Sequence, residues 1–147
     1  MPGPVFVLLA VALTAQAAEG VGTLTAAAIL IHATDKPVID GDLSEAAWQR
    51  ATPSTGFVQQ QPDEGRPATQ RTDVRFLYDA DTLYVGAMLF DDDPRLLVIN
   101  ELKRDFAEAN NDLFGVVLDT FRDGRNAYGF LVNAGGAQRD TLAYDQG

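Results

Sequence analysis

The sequence predicts an all-β protein, an antiparallel β-sandwich with one short helix near its N-terminus. Apolar and polar residues alternate around residues 74–78 and again around residues 128–132, as in strands with one face in water. Residues 82–90 are apolar at nearly every position, which is typical of a central strand covered on both faces. Asp123 and Gly124 form a strong hairpin signal between two strand-like runs.

Residues 1–18 are predicted to be a secretory signal peptide. Residues 5–17 form an apolar run too short to span a bilayer, and Ala15 and Ala17 form an A-x-A cleavage site. Because no Lys or Arg precedes the run, a buried N-terminal strand is the alternative. Residues 19–36 are then a linker or a first strand. We therefore expect a secreted, periplasmic or cell-envelope protein with no membrane span in this sequence.

Residues 37–48, "PVIDGDLSEAAW", predict a turn followed by a short helix. Their Asp-Gly pair favours the turn, and Asp42 is placed to cap the helix with Glu45 three residues later, as in a capping box. Trp48 is the only tryptophan of the chain. We expect it in the structural core, because a buried indole contributes a large apolar area, and an exposed platform for a sugar ring is the alternative.

The remaining strands follow in order. Residues 56–71 carry Pro and Gly and predict a surface loop, whereas residues 95–111 are ambiguous between a helix and a loop. Strands are predicted within residues 112–120, before Gly-Gly at 135–136, and over residues 139–144. Five or six strands are fewer than a closed sandwich usually needs. We therefore expect the C-terminal part of the sandwich to belong to a longer chain.

Composition excludes several functional classes. Eleven Lys and Arg face 21 Asp and Glu, a net charge of −10, which argues against nucleic acid and anionic lipid as partners. There is no cysteine, so no disulfide stabilises the fold. His32 is the only histidine, which makes a Ser-His-Asp or metal-histidine site improbable, and no pair of acids is marked as catalytic. A neutral ligand, calcium or another protein remains.

Three stretches together resemble a family 9 carbohydrate-binding module: "PVIDGDLSEAAW", "VRFLYDADTLYVGAMLFD" and "NNDLFGVVLDTFRDGRNAYGFLVNAGGAQRD". More closely, they resemble the version at the N-terminus of large bacterial envelope proteins with a barrel-like C-terminal domain. The resemblance covers residues 37–147 and implies a β-sandwich that binds poly- or oligosaccharide without catalysis, beside structural calcium. It also implies a C-terminal partner domain in the same chain, which would be a hydrolase of glycosidic bonds if the parent protein is an enzyme.

Asn111, Asn133 and Arg139 are the candidate carbohydrate-binding residues. Polar groups near the Gly-Gly turn suit a ligand site, and a turn held by Asn133 with an edge salt bridge is the alternative. The family's tryptophan, carboxylate and arginine are replaced here at Glu108–Asn110, Gly115 and Leu131. These departures favour a rival function, a structural or docking sandwich that has lost sugar binding.

Asp91, Asp92 and Asp93 are the candidate calcium ligands, because they form the densest group of carboxylates in the chain. The alternative is a solvated turn at the end of a strand, since adjacent residues in an extended segment point in different directions. The pairs Asp79 with Asp81 and Asp119 with Asp123 are predicted to be turn formers.

Overall fold

The computed structural model describes residues 8–10 and 25–144, and this part of the chain is mostly β. Its residues divide into two compact units. Unit 1 comprises the described residues of Met1–Ala15, Val58–Ala68 and Asp92–Gly147, and unit 2 those of Gln16–Phe57 and Thr69–Asp91. Each unit contains one sheet.

Unit 2 contains strands β2 (Ala28–Leu30), β3 (Thr72–Tyr78) and β4 (Leu83–Leu89), in the order β2-β3-β4. β3 and β4 form an antiparallel hairpin, but β2 pairs with β3 in parallel, so the prediction of a purely antiparallel protein is wrong here. The reason is the long connection over residues 31–71, because a parallel pair requires such a crossover and a tight turn cannot supply it.

The positions of β3 and β4 in their sheet are the reverse of the predicted ones. β3 is the inner strand and is buried on both faces, whereas β4 is the outer described strand and leaves Leu83 44% and Leu89 47% exposed. Asp73 explains the misleading pattern of β3. Its carboxylate is buried and accepts two hydrogen bonds from the Arg71 guanidinium, at 2.8 and 2.6 Å, so this polar residue does not mark a wet face.

The helix α1 (Ala46–Arg50) is shorter than predicted and the capping box is wrong. Glu45 is the N-cap residue, and no side chain caps the helix. The Asp42 carboxylate instead accepts from the Ser44 amide at 2.8 Å and the Ser44 hydroxyl at 2.8 Å, while Glu45 Oε1 accepts from the Val38 amide at 3.0 Å. Both acids are thus used in the turn before the helix, where a local bond competes with helix capping.

The core of unit 2 is built around Trp48, which is 2% exposed. It clusters with four other buried apolar residues, Ile31, Ala47, Ala51 and Leu77. The indole also lies against Gly86 of β4, where an added Cβ would be 3.0 Å from the nearest ring atom. The indole N–H has no hydrogen-bond partner among the residues that the structure describes.

Unit 1 contains β1 (Leu8–Ala10), β5 (Leu113–Leu118), β6 (Asn126–Asn133) and β7 (Gln138–Tyr144), in the order β1-β5-β6-β7. The antiparallel meander β5-β6-β7 confirms the three strands predicted at this end of the sequence. The turn between β5 and β6 is held by hydrogen bonds to aspartate side chains, as predicted. Asp123 makes the most of these bonds, and its Oδ1 accepts from the backbone amides two and three residues later at 2.8 and 2.9 Å.

β1 lies inside the predicted signal peptide and pairs in parallel with β5. The A-x-A motif at Ala15 and Ala17 lies outside the described residues, as do residues 19–24 of the predicted linker. A cleaved leader and an N-terminal strand are alternatives for the same residues, so export stays a prediction.

Residues 95–111 form a loop, which settles the ambiguity of this segment. Two 3-10 helices occur near its ends, at Pro94–Leu96 and Glu108–Asn110, and a third lies in unit 2 at Ala33–Asp35. Among the described residues, no helix has the length and apolarity needed to cross a membrane.

Candidate functional site

The candidate site lies in unit 1, where residues 98–112 form an excursion loop before β5. Asp112 closes the base of this loop with three hydrogen bonds. Its amide donates to the Val98 carbonyl at 2.9 Å, its carboxylate accepts from the Val98 amide at 2.8 Å, and its carbonyl accepts from the Ala134 amide at 3.0 Å. The excursion loop is therefore tied at its base to the residue that follows β6.

Asn133 ends β6 and is 3% exposed. Its Oδ1 accepts from the amides of Gly135 at 3.0 Å and Ala137 at 2.9 Å, which folds the β6–β7 turn around the side chain. Gly136 in this turn has φ of +83°, a conformation that glycine adopts without strain. The Asn133 Nδ2 donates to the Glu101 carbonyl at 2.6 Å, so the same amide also anchors the excursion loop.

Asn111 lies beside Asn133 and is 2% exposed. Its Oδ1 accepts from the amides of Asn100 at 2.8 Å and Glu101 at 3.3 Å, and it is 3.4 Å from the Nδ2 of Asn133. Its Nδ2 donates to the Ala107 carbonyl at 2.8 Å. The two side chains, called the asparagine pair below, thus use both their oxygens and both their nitrogens inside the protein. An amide group has two donors and two acceptor lone pairs, so little capacity remains for a ligand.

Arg139 on β7 holds the far side of the excursion loop. Its Nη1 donates to the carbonyl of Phe106 at 3.0 Å, and Phe106 has no exposed surface. Its Nε lies 3.1 Å from Glu108 Oε1, an ion pair whose N–H is not aligned for a hydrogen bond, since this buried Nε has no hydrogen-bond partner. The Arg139 and Glu108 side chains are 33% and 40% exposed, so solvent weakens the ion pair.

Two further contacts join the excursion loop to β7. The Asp105 amide donates to the Gln138 carbonyl at 2.9 Å, helped by a φ of +60° that Asp tolerates better than most residues. Arg104 and Asp140 form an ion pair. The structure places Asn111 beside Asn133, and Arg139 contacts the same excursion loop, while their role in carbohydrate binding stays a prediction. Sequence reasoning missed Asp112, Glu101 and Arg104, whose roles depend on the path of the loop.

The positions at which the resemblance places a carboxylate and an arginine are direct cross-strand partners. Gly115 on β5 pairs with Leu131 on β6. A Cβ added at Gly115 would lie 3.4 Å from Leu131 Cγ, so the leucine side chain occupies the space above the glycine. Glu108–Asn110, where the resemblance places a tryptophan, is a 3-10 helix. At the Gly115–Leu131 pair, the site therefore carries an apolar contact in place of the charged groups that the resemblance implies.

The predicted calcium ligands are not gathered into a metal site within the described residues, where no group of three or more His, Cys, Asp or Glu is placed to hold an ion. Asp93 instead forms a bidentate pair with the Arg95 guanidinium, at 2.7 and 2.9 Å, which lowers the pKa of that carboxyl. Asp91 and Asp92 also have interactions in the protein. Calcium at Asp91, Asp92 and Asp93 stays a prediction.

The strongest electrostatic cluster of unit 2 is at the β3–β4 turn. The Lys36 ammonium lies 2.8 Å from Asp79 Oδ2 and is the main reason that the pKa of Asp79 is held well below its usual range. The amides of Asp81 and Thr82 and the Tyr84 hydroxyl also donate to this carboxylate. Asp79 is thus a turn former, as predicted, and its charge stabilises the hairpin.

A small cavity in unit 2 is lined by charged residues that include Lys36, Glu45 and Arg50, with a volume of about 200 Å³. Glu45 Oε2 is buried and has no hydrogen-bond partner among the described residues. The cavity is smaller than the roughly 300–1,000 Å³ of typical organic-ligand sites.

Comparison with models of known protein families, with curated proteins and with solved structures finds no match to this chain. The resemblance to a family 9 carbohydrate-binding module therefore stays a prediction.

Proposed function

We propose that this chain is a non-catalytic β-sandwich module of the family 9 type, carried by an exported protein, and that it acts as a docking domain rather than as a sugar receptor. The observation that supports docking is the asparagine pair, whose amide groups are buried and bonded to the backbone of their own loop. The residues expected to face a sugar instead hold the excursion loop in place.

Energetics favour the docking role over sugar recognition. A sugar hydroxyl that bonds to Asn111 or Asn133 must displace a backbone group, and a buried group left without a partner costs about 1–3 kcal/mol. The stacking ring, carboxylate and arginine implied by the resemblance are also replaced, at Glu108–Asn110, Gly115 and Leu131. Each absent contact removes roughly 1 kcal/mol of favourable interaction.

The proposed partner is protein. In this proposal the module precedes a barrel-like domain in the same longer chain, in the periplasm or at the cell envelope, and contributes no catalytic group. If the parent protein is an enzyme of carbohydrate catabolism, hydrolysis of glycosidic bonds belongs to the attached domain.

Carbohydrate binding is the second candidate function. It is favoured by the meeting of Asn111, Asn133 and Arg139 at one end of the unit 1 sheet, beside the excursion loop. In this alternative Arg139 is the most accessible contact, because its side chain is 33% exposed.

Isothermal titration calorimetry with xylo- and cello-oligosaccharides at about millimolar concentration separates the two functions, since a Kd of 1 mM corresponds to about 4 kcal/mol. We expect no binding heat. A clear isotherm that is lost in Arg139→Gln, and kept in the matched control Arg104→Gln in the exposed part of the excursion loop, would overturn the docking role. A melting temperature raised by calcium, and no longer raised in Asp92→Asn, would support the predicted metal site.

A further inference from the structure

Over strands β6 and β7, one face of the unit 1 sheet is apolar and open, whereas on β5 the residue opposite Phe130, Val116, is buried. Tyr128, Phe130 and Val132 alternate along β6 and are 40%, 52% and 37% exposed. Leu142 lies directly opposite Tyr128 on β7, and Tyr144 follows two residues later on the same face, both 61% exposed. These five residues are called the open face below.

The open face carries little charge on a chain whose net charge is −10. By the strand register, its polar neighbours on β6 and β7 are Asn126, Gln138 and Asp140. The first two are neutral, and Asp140 is paired with Arg104. The open face is therefore a surface on which two copies of this acidic chain can meet without bringing unpaired carboxylates together.

The area is sufficient for a weak dimer. Taking about 150–250 Å² for a large side chain, the exposed fractions correspond to roughly 500 Å² on one copy. Two copies then bury about 1,000 Å², the lower bound for a specific interface. An apolar sheet face is ordinarily covered by a second layer, and two sheets pack face to face by interdigitating such side chains.

We infer that the open face is a homotypic docking surface, on which a second copy of this chain packs sheet against sheet about a two-fold axis. This inference rests on the proposed docking role and names its partner. The symmetry follows because a face that packs on its own copy makes a self-complementary interface. Val132 and Leu142 favour protein over sugar as the occupant, since aliphatic side chains among the rings give no hydrogen bonds to hydroxyl groups.

The test is sedimentation velocity of the full chain over a range of micromolar concentrations, at low and high salt. We expect a monomer–dimer equilibrium that strengthens with salt, because salt screens the repulsion between two acidic copies. Phe130→Glu should weaken dimerisation at least about tenfold, as expected for a central aromatic contact. Phe121→Glu is the matched control, since Phe121 is 68% exposed in the β5–β6 turn and lies outside the open face.

Circular dichroism checks that each variant folds, and Leu142→Glu on the outer strand replaces Phe130→Glu if the latter does not. A folded wild-type chain that stays monomeric at every concentration overturns the inference, as does a dimer that Phe130→Glu and Leu142→Glu leave intact. All variants share the apolar N-terminal run, so association through that run would persist in each. An oligosaccharide isotherm on the same samples would contradict the docking role itself. Failure of the docking role is thereby distinguished from failure of the dimer.

Discussion

Trp48 offers the sharpest test of how unit 2 is held together. The side chain is almost fully buried, and its ring lies against Leu77 and Gly86 on the two long strands of that sheet. Replacement of Trp48 by Ala removes this contact between the helix and the sheet. We expect a large loss of stability without any direct effect on a ligand.

The magnitude follows from the buried area. A tryptophan buries about 150–250 Å², which at about 25 cal/mol per Å² is worth roughly 4–6 kcal/mol. Measured truncations of buried Phe or Trp to Ala cost about 3–5 kcal/mol, and we expect the same range for Trp48→Ala. At about 2–4 °C per kcal/mol, the melting temperature should fall by roughly 6–20 °C.

Trp48→Phe separates the area of the indole from its N–H group. The buried Nε1 has no acceptor among the described residues, and an unsatisfied buried donor costs about 1–3 kcal/mol. Phenylalanine loses part of the apolar area but removes that donor, so the two effects oppose each other. We expect Trp48→Phe to cost less than about 2 kcal/mol.

Urea unfolding followed by circular dichroism measures both changes, with Phe121→Ala as a control that should stay within about 0.5 kcal/mol of wild type. If Trp48→Phe proves as damaging as Trp48→Ala, then the indole N–H has a partner and the opposing term is absent. If Trp48→Ala leaves the unfolding midpoint unchanged but abolishes retention on a glycan column, Trp48 is a sugar platform and the core assignment is refuted.

Three other predictions concern the loop, the hairpin turn and export. Asn133→Ala should destabilise the protein by about 2–4 kcal/mol, because it leaves buried backbone groups unpaired, and hydrogen exchange should show faster exchange at the Ala137 amide. The pKa of Asp79 is lowered by Lys36, so its stabilisation is full above about pH 4 and declines as the pH falls. Melting curves between about pH 2 and 7 should therefore lose part of their acid sensitivity in Asp79→Asn. Expression with the native leader in a Gram-negative host should give a periplasmic protein beginning near Ala18 or Glu19, whereas full-length protein in the cytosol would contradict export.

The sequence predicted the hairpin elements well because their signals are local. Alternation of side chains and the Asp123-Gly124 pair identified β5 and β6, and the Gly-Gly pair placed the following turn. Such signals depend on residues that are adjacent in the chain. They are therefore readable without knowing the partner strand.

Strand order in unit 2 could not be predicted in the same way. The apolar run of β4 is typical of a central strand. However, β3 is the inner strand, because β2, which comes much earlier in the chain, pairs with its other edge. In addition, Asp73 is an exception to the rule that polar residues mark the exposed face of a strand, because its buried carboxylate is paired with the Arg71 guanidinium. Both features depend on contacts that no local pattern encodes.

For the candidate site, too, the sequence predicts the residue types but not the contacts that they make. The residue types at Asn111 and Asn133 indicate polar contacts at this end of the sheet. The sequence does not distinguish an asparagine that binds a ligand from one that bonds to its own loop. The path of the excursion loop decides between these uses, because Glu101 and Ala107 supply the backbone groups that saturate the pair.

The Gly115–Leu131 pair shows why the sugar site that the resemblance implies should be examined across strands. Leu131 fills the space above Gly115, so a carboxylate introduced at Gly115 alone would meet the leucine side chain. An arginine at Leu131 alone would lie opposite Gly115 on one side and Arg139 on the other, so it would place two like charges on neighbouring strands. Only the joint replacement supplies an ion pair at this point of the sheet, since a charge in a half-buried position is tolerated when it is paired. The two departures therefore form one structural unit, in which the leucine packs where the resemblance implies charged groups.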